Sequence, residues 1–153
     1  MTASTVILGA GVTGLTTAKS LLERFPSMDP ATVIVIAKHL PGDISPTGYC
    51  SPQGGANWIS FEEKPNQYTQ YDRVSFERFL RIAKESPESG VKRFTLRYIY
   101  GDLQEQTPDT KMPWYADLVG GVTPIPTEEL PRGGVWGLEM ETFMFNVPVY
   151  LMW

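Results

Sequence analysis

Thr5-Val6-Ile7-Leu8-Gly9-Ala10-Gly11-Val12-Thr13-Gly14-Leu15 is the stretch from which the fold of this chain is read. A short apolar strand runs straight into a GxGxxG turn and out into a helical pattern. The spacing has a mechanical reason. Gly9 permits the tight turn out of the strand, Gly11 lets backbone approach a pyrophosphate, and Gly14 allows the helix to pack on the strands. The unbonded N–H groups of the first helical turn then face the phosphates, where the helix dipole also favours negative charge. Leu15, Ala18, Leu22 and Phe25, with Leu21 beside them, give the segment the buried stripe of an amphipathic helix, which Pro26 and Pro30 stop. Thr32 to Ala37 follows as a second strand, expected to be buried on both faces as parallel strands are. Strand, turn, helix and strand make a βαβ unit, and the turn reads as a dinucleotide cradle rather than a glycine turn that binds nothing.

The end of the second strand usually carries an Asp or Glu that accepts ribose hydroxyls. Here it holds Ala37-Lys38-His39. Lys38 against a 2′-phosphate indicates NADP; Lys38 against adenosine or phosphate oxygens indicates FAD. The motif alone leaves both open.

The totals narrow the classes. At 153 residues the chain suits one domain with a modest core and is short for a two-domain oxidoreductase. Its 42% hydrophobic content argues for a folded protein. A net charge of −4 argues against nucleic acid as a partner. No apolar run nears the ~20 residues of a membrane span, and the first run lacks the basic start of a signal peptide, so no membrane association is expected. Cys50 is the single cysteine, which excludes an internal disulfide and points to a reducing compartment. His39 is the single histidine, so a Ser-His-Asp triad would have to be built at the adenine end of the cradle, and no zinc shell can be filled. His39 reads as a partly exposed loop residue.

Residues 39–57 are turn-rich, with Pro41, Gly42, Pro46, Gly48, Pro52, Gly54 and Gly55, and no regular element is expected there. The segment Ser51-Pro52-Gln53-Gly54-Gly55-Ala56-Asn57-Trp58 concentrates small residues that let backbone N–H groups approach a flat or anionic ligand. Asn57 adds a donor and an acceptor, and the competing reading is a surface loop anchored by Trp58. Tyr71 to Ser86 reads as a helix with Asp72 as its N-cap, Phe76, Phe79, Leu80 and Ala83 on one stripe, and a solvated charged face. Val91 to Tyr100 alternates as an antiparallel strand, with Phe94, Leu96, Tyr98 and Tyr100 on one face, so the architecture changes near residue 90. Residues 101–134 are broken by prolines including Pro108, with one helical turn expected around Trp114, Tyr115, Leu118 and Val119. Val135 to Val149 reads as extended, before the apolar end Tyr150-Leu151-Met152-Trp153.

These residues together resemble the fungal branch of the D-amino acid oxidase family, FAD enzymes of the glutathione-reductase-like fold. The likeness lies in Val6 to Leu15, in Val35-Ile36-Ala37-Lys38-His39-Leu40-Pro41-Gly42-Asp43, in Ser51 to Trp58, and in Pro113-Trp114-Tyr115 with the final Tyr150 to Trp153. The chain corresponds to the N-terminal part of such an enzyme. By position, the resemblance implies FAD contacts from Ala10, Val12 and Thr13 beside Gly9, Gly11 and Gly14. It implies further contacts from Lys38 and His39 at the adenosine, and from Thr47, Ser51, Gly54, Gly55 and Asn57 near the flavin. It favours FAD over NADP at Lys38, because the family carries a basic residue there. Gln53 and Gly54 depart from the family's usual tryptophan and alanine.

The implied fold is α/β: a Rossmann-like βαβ FAD-binding unit over residues 1–88, followed over 89–153 by the start of an antiparallel substrate or interface domain, incomplete relative to the family. The family reaction is oxidative deamination of D-amino acids with oxygen reduced to hydrogen peroxide. Its substrate carboxylate is held by an arginine and tyrosines from the family's second half. Arg93, Arg97 and Arg132 match no such motif, and no catalytic residue is assigned. Hydride removal from the α-carbon depends on positioning, where a 1 Å error costs about a hundredfold in rate, so little or no activity is expected from this chain alone. Two parallel strands without returning ones are expected to leave an open edge and an uncovered apolar face. The alternative is a non-enzymatic partner or scaffold that associates, as a homo- or hetero-oligomer, through an exposed apolar C-terminal surface. Because Leu151-Met152-Trp153 is no peroxisomal signal, a cytoplasmic location is expected.

Overall fold

The computed structural model describes residues 5–43, 47–101 and 112–153; Pro46 and Pro108 lie outside them. Contacts divide the chain into two compact units, Met1–Ala56 with Asn146–Trp153, and Asn57–Phe145.

The first unit holds β1 (Thr5–Leu8), α1 (Val12–Arg24) and β2 (Val33–Ile36). β1 and β2 pair in parallel, Thr5 opposite Val33 and Leu8 opposite Ile36. Asp29 starts the return to β2: its Oδ1 accepts the Ala31 N–H at 2.9 Å over a short 3₁₀ turn, Pro30–Thr32. The strands are not buried on both faces as expected. Thr5, Ile7, Val33 and Val35 are half-buried, but Val6, Leu8, Ile34 and Ile36 on the other face are exposed at 57%, 86%, 43% and 52%. One helix can cover only one face of a sheet, and α1 is the helix that packs on both strands. The α1 stripe is shorter than its sequence period suggested, since Phe25 falls at the C-cap and is exposed.

A second correction concerns the end of the chain. The extended pattern stops at Phe145, and α3 (Val147–Met152) follows with Pro148 in its first turn, where a missing N–H costs nothing. α3 packs on a 3₁₀ turn at Ser51–Gln53, Leu151 is buried, and Lys19 Nζ lies 3.5 Å over the Trp153 ring. The apolar end is thus partly folded into the first unit, although Met152 stays exposed.

The second unit is built on a long antiparallel pair. β4 (Val91–Tyr100), at the bounds its alternation suggested, pairs along its whole length with β6 (Trp136–Phe145), Val91 opposite Phe145 and Tyr100 opposite Trp136. β5 (Val122–Pro124) lies on β6's other side, and β3 (Ala56–Asn57) stands in the order β3-β6-β4. Together with the turn at Ser51–Gln53, β3 gives the turn-rich 39–57 stretch short regular pieces that its composition did not announce.

α2 (Thr69–Glu85) belongs to this unit, and the compact units part at Ala56–Asn57 and Phe145–Asn146. It starts before Asp72, which is therefore not its N-cap. Asn66 Oδ1 accepts the Tyr68 and Thr69 N–H groups instead, at 2.7 and 3.3 Å, leaving Asp72 in the first turn. Its buried positions are Thr69, Phe76 and Ile82, while Leu80, expected inside, is exposed. Phe76 and Phe79 meet Phe143 with ring centroids 5.0 and 6.4 Å apart, and Phe79 meets Phe145 at 4.6 Å. Trp58, buried as an anchor, closes this cluster against Phe76 and donates its N–H to the Phe143 carbonyl at 2.9 Å. Around Trp114 the chain makes a tight turn, with Val119 N–H bonded to Tyr115 O at 3.1 Å.

Candidate functional site

The glycine turn shows why each of its three glycines is needed. The Gly9 N–H donates to Ile36 O at 2.8 Å, holding the turn in register with β2, and φ at Gly9 is +105°, where a side chain is strained. A Cβ at Gly14 would lie 2.0 Å from the Gly9 carbonyl oxygen, so only glycine lets α1 approach the turn this closely. At Gly11 a Cβ would stand 2.8 Å from Ser51 Oγ. α1 then begins: its first internal bond runs from Leu15 N–H to Gly11 O, 3.0 Å, which leaves the N–H groups of Val12, Thr13 and Gly14 without helical partners. Ser51 Oγ accepts the one from Val12 at 3.1 Å. The first turn of α1 carries no acidic residue, so nothing on it compensates the positive end of the dipole.

A residue that the sequence reading missed stands beside it. Tyr49 is buried, and its hydroxyl donates to the carbonyl of Ala10, itself 2% exposed, at 2.6 Å. Burial, then the charge of Asp43, pushes the Tyr49 phenol up from its ordinary value, keeping it a neutral donor. Its ring stacks with that of His39, centroids 6.3 Å apart and planes at 23°. His39 in turn places Nδ1 3.8 Å from Asp43 Oδ2, and Asp43 closes its own turn by accepting the Leu40 N–H at 3.1 Å. The only signal for Tyr49 was an aromatic residue inside a stretch of turn formers, which by itself does not point to a hydroxyl contact.

Of the residues proposed from sequence, Gly9, Ala10, Gly11, Val12, Thr13 and Gly14 thus form one turn with Ser51, and His39 joins through Tyr49. Lys38 and Thr47 are exposed. Gly54 and Gly55 continue the 3₁₀ turn, their N–H groups bonded to Ser51 O at 3.2 Å and Gln53 O at 2.9 Å. Asn57 is exposed and falls in the second unit. Backbone N–H groups without helical partners and a neighbouring hydroxyl suit the phosphates of a dinucleotide, which is what the glycine spacing calls for.

Several polar groups of the second unit are held by one another. Ser60 Oγ donates to Asp72 Oδ2 at 2.7 Å and accepts the Trp114 indole N–H at 3.2 Å. Arg97 is held between Glu139 Oε2 at 2.6 Å and Glu129 Oε2 at 2.7 Å, bonds that raise its pKa further. Burial pushes the Tyr115 phenol up to about 12, with Tyr100 and Tyr98 adding to the shift. Among the described residues no group of three or more His, Cys, Asp or Glu could hold a metal ion, and no helix is long and apolar enough to cross a membrane.

No family model matches the chain. Curated proteins do, along nearly all of it. A D-amino-acid oxidase of Schizosaccharomyces pombe is 36% identical over 147 residues, 95% of this chain and 40% of that protein. A D-amino-acid oxidase of Fusarium vanettenii is 29% identical over 162 residues, covering 100% and 43%. A D-aspartate oxidase of Talaromyces thermophilus is 28% identical over 165 residues, covering 97% and 45%. The class these relatives define is that of amino-acid oxidases. The chain is similar along 95–100% of its length to D-amino-acid and D-aspartate oxidases, as a partial chain of that family would be, and spans about two fifths of the length of the curated relatives it matches.

Proposed function

We propose that this chain binds FAD through the turn Gly9–Gly14, with Lys38 and His39 on the adenosine side and Thr47, Ser51, Gly54, Gly55 and Asn57 as further contacts, as the FAD-binding portion of a D-amino-acid oxidase. The observation that carries the reading is the cradle itself: three N–H groups free of helical partners at an uncompensated dipole, on a turn that its glycines let pack closely on β1 and on Ser51. In a complete oxidase, FAD would supply the acceptor for the hydride, the Cα–H electron pair of a D-amino acid, leaving the imino acid, and oxygen would take the two electrons with two protons to give hydrogen peroxide. This chain's residues bind and orient. The α1 N-terminus and Ser51 face anionic oxygens, and His39 stacked on Tyr49 shapes the neighbouring wall.

The relatives are oxidases, which supports the FAD reading over the NADP one and lends nothing to a scaffold role. The 153 residues alone turn over D-amino acids weakly or not at all, because Arg93, Arg97 and Arg132 match no carboxylate-clamping motif and the reaction depends on fixing the substrate against the flavin. Titration of the purified chain with FAD, followed by the perturbed flavin absorbance, is expected to saturate. Peroxide release from D-alanine in air is expected to stay at the level of free flavin. A flat titration overturns the binding claim, and robust peroxide formation overturns the claim of inactivity.

A further inference from the structure

Met140 and Met144 of β6 lie on one face of the sheet and meet opposite surroundings. Met140 is 3% exposed, whereas Met144 is 47% exposed. The strand register sets Met144 directly across from Lys92 on the edge strand β4, so both side chains leave the same face with their Cβ atoms about 5 Å apart. Lys92 is itself exposed, and among the described residues no ion pair holds it. We propose that Met144 is an oxidation site for hydrogen peroxide, activated by the Lys92 ammonium across the strand pair. The oxidant is the peroxide itself, so the site stands apart from FAD binding, although hydrogen peroxide is also the product a complete oxidase would release.

A thioether is oxidised by attack of a sulfur lone pair on one peroxide oxygen. The S–O bond forms while the O–O bond breaks, and the departing hydroxide needs a proton. The Lys92 ammonium carries three donors on a flexible stem, long enough to reach a peroxide seated on the facing Met144 sulfur. It attracts the leaving oxygen as negative charge develops there and passes it a proton, giving water. The protonated sulfoxide then loses its own proton to solvent, and the lysine amine takes one back. Sulfur gives up two electrons, the peroxide gains them, and the net change is thioether plus hydrogen peroxide to sulfoxide plus water. An exposed charge at this range is worth up to about fivefold in rate.

Exposure alone orders the sites differently. Met152 is 62% exposed and Met112 48%, so a purely steric rule oxidises Met152 first and Met112 level with Met144. At Met152 the neighbouring cation, Lys19, is occupied over the Trp153 ring. The product also suits its place. A sulfoxide oxygen at Met144 accepts a hydrogen bond from the same ammonium, adding a surface link between β4 and β6 and sparing the buried Met140, which sits between Leu96 and Val122.

The test exposes the full chain to excess hydrogen peroxide, quenches samples with catalase over time, and reads each methionine's sulfoxide fraction by peptide mass spectrometry. Met144 is expected to react ahead of Met152 and Met112, with Met140 last. Lys92→Gln is expected to slow Met144 by up to about fivefold and leave Met152 unchanged, while Lys92→Arg, which keeps a cation, holds the parent rate. Met152 reacting ahead of Met144 in the parent overturns the proposal, as does an unchanged Met144 rate in Lys92→Gln or a slowed one in Lys92→Arg. If Met140 turns reactive in Lys92→Gln, the strand pair has opened, and the salt dependence of the parent decides instead. Concentrated sodium chloride screens an exposed charge and should lower the Met144 rate toward that of Met152, whereas a ratio indifferent to salt overturns the proposal. No flavin enters the assay, so neither result bears on the FAD reading.

Discussion

The two compact units are stabilised in different ways. In the second, β4 and β6 pair over ten residues each, and the face of β6 carrying Phe143 meets α2 through rings from Phe76 and Phe79; Phe143 and Thr142 are 0% exposed. In the first, neither strand contains a fully buried residue and α1 contains none, and four aliphatic side chains of the β1–β2 pair face outward. The difference lies in layers rather than in residue type. Val6, Leu8, Ile34 and Ile36 are as apolar as any core residue, but the elements of their own unit cover one side of the sheet only. The first unit carries the candidate site and the second carries the packing, so substitutions in the two should have effects of different size and kind.

The largest contrast should come from Phe143→Ala. Removing a fully buried ring leaves a cavity among Phe76, Phe79 and Phe145 and costs about 3–5 kcal/mol. Hydrogen exchange is expected to show β4, β6 and α2 amides losing protection while α1 amides keep theirs. Uniform loss across both units would break the contrast between them.

The next effect depends on pH. The Tyr115 phenol is raised to about 12 in the folded chain and has its ordinary value near 10 when unfolded. A raised acid favours the folded state fully below pH ~10, and that contribution is lost as pH rises through ~12, because the unfolded chain ionises first. Two units correspond to about 2–3 kcal/mol. Denaturant midpoints for the parent should therefore fall steeply between pH ~10 and ~12, and Tyr115→Phe should flatten that part of the curve. An unchanged slope in the variant removes Tyr115 as the cause.

Local elements were legible in the sequence wherever a period and a breaker coincided. Val91–Tyr100 emerged at its observed ends because alternation over ten residues stops at glycines on both sides, and α1 stopped before Pro26. Caps were less legible: Asp72 looked like the start of α2, but Asn66 with Thr69 makes the competing turn and α2 begins before it. Burial was least legible, because it depends on what another element covers. The period of Leu80 is as good as that of Phe79, yet Leu80 is exposed and Ile82 takes the inner position. In the site, the glycine turn could be read from spacing because each glycine answers a steric demand between near neighbours in the chain. The Tyr49–Ala10 bond joins residues 39 apart and leaves no periodic trace.

The smallest expected effect on stability sharpens the same contrast. Leu8 is 86% exposed on the uncovered face of β1, so Leu8→Lys removes almost no burial and should change the unfolding free energy by less than about 0.5 kcal/mol. The solution behaviour should change nonetheless. Val6, Ile34 and Ile36 surround it as a contiguous apolar surface on strands with unpaired edges, the arrangement that invites edge-to-edge pairing, and a charge placed there opposes it. Light scattering during concentration and binding of a hydrophobic dye should both fall in Leu8→Lys while FAD titration stays unchanged. A loss of several kcal/mol would mean that this face is covered in solution, and the contrast drawn between the two units would then fail on the side of the first.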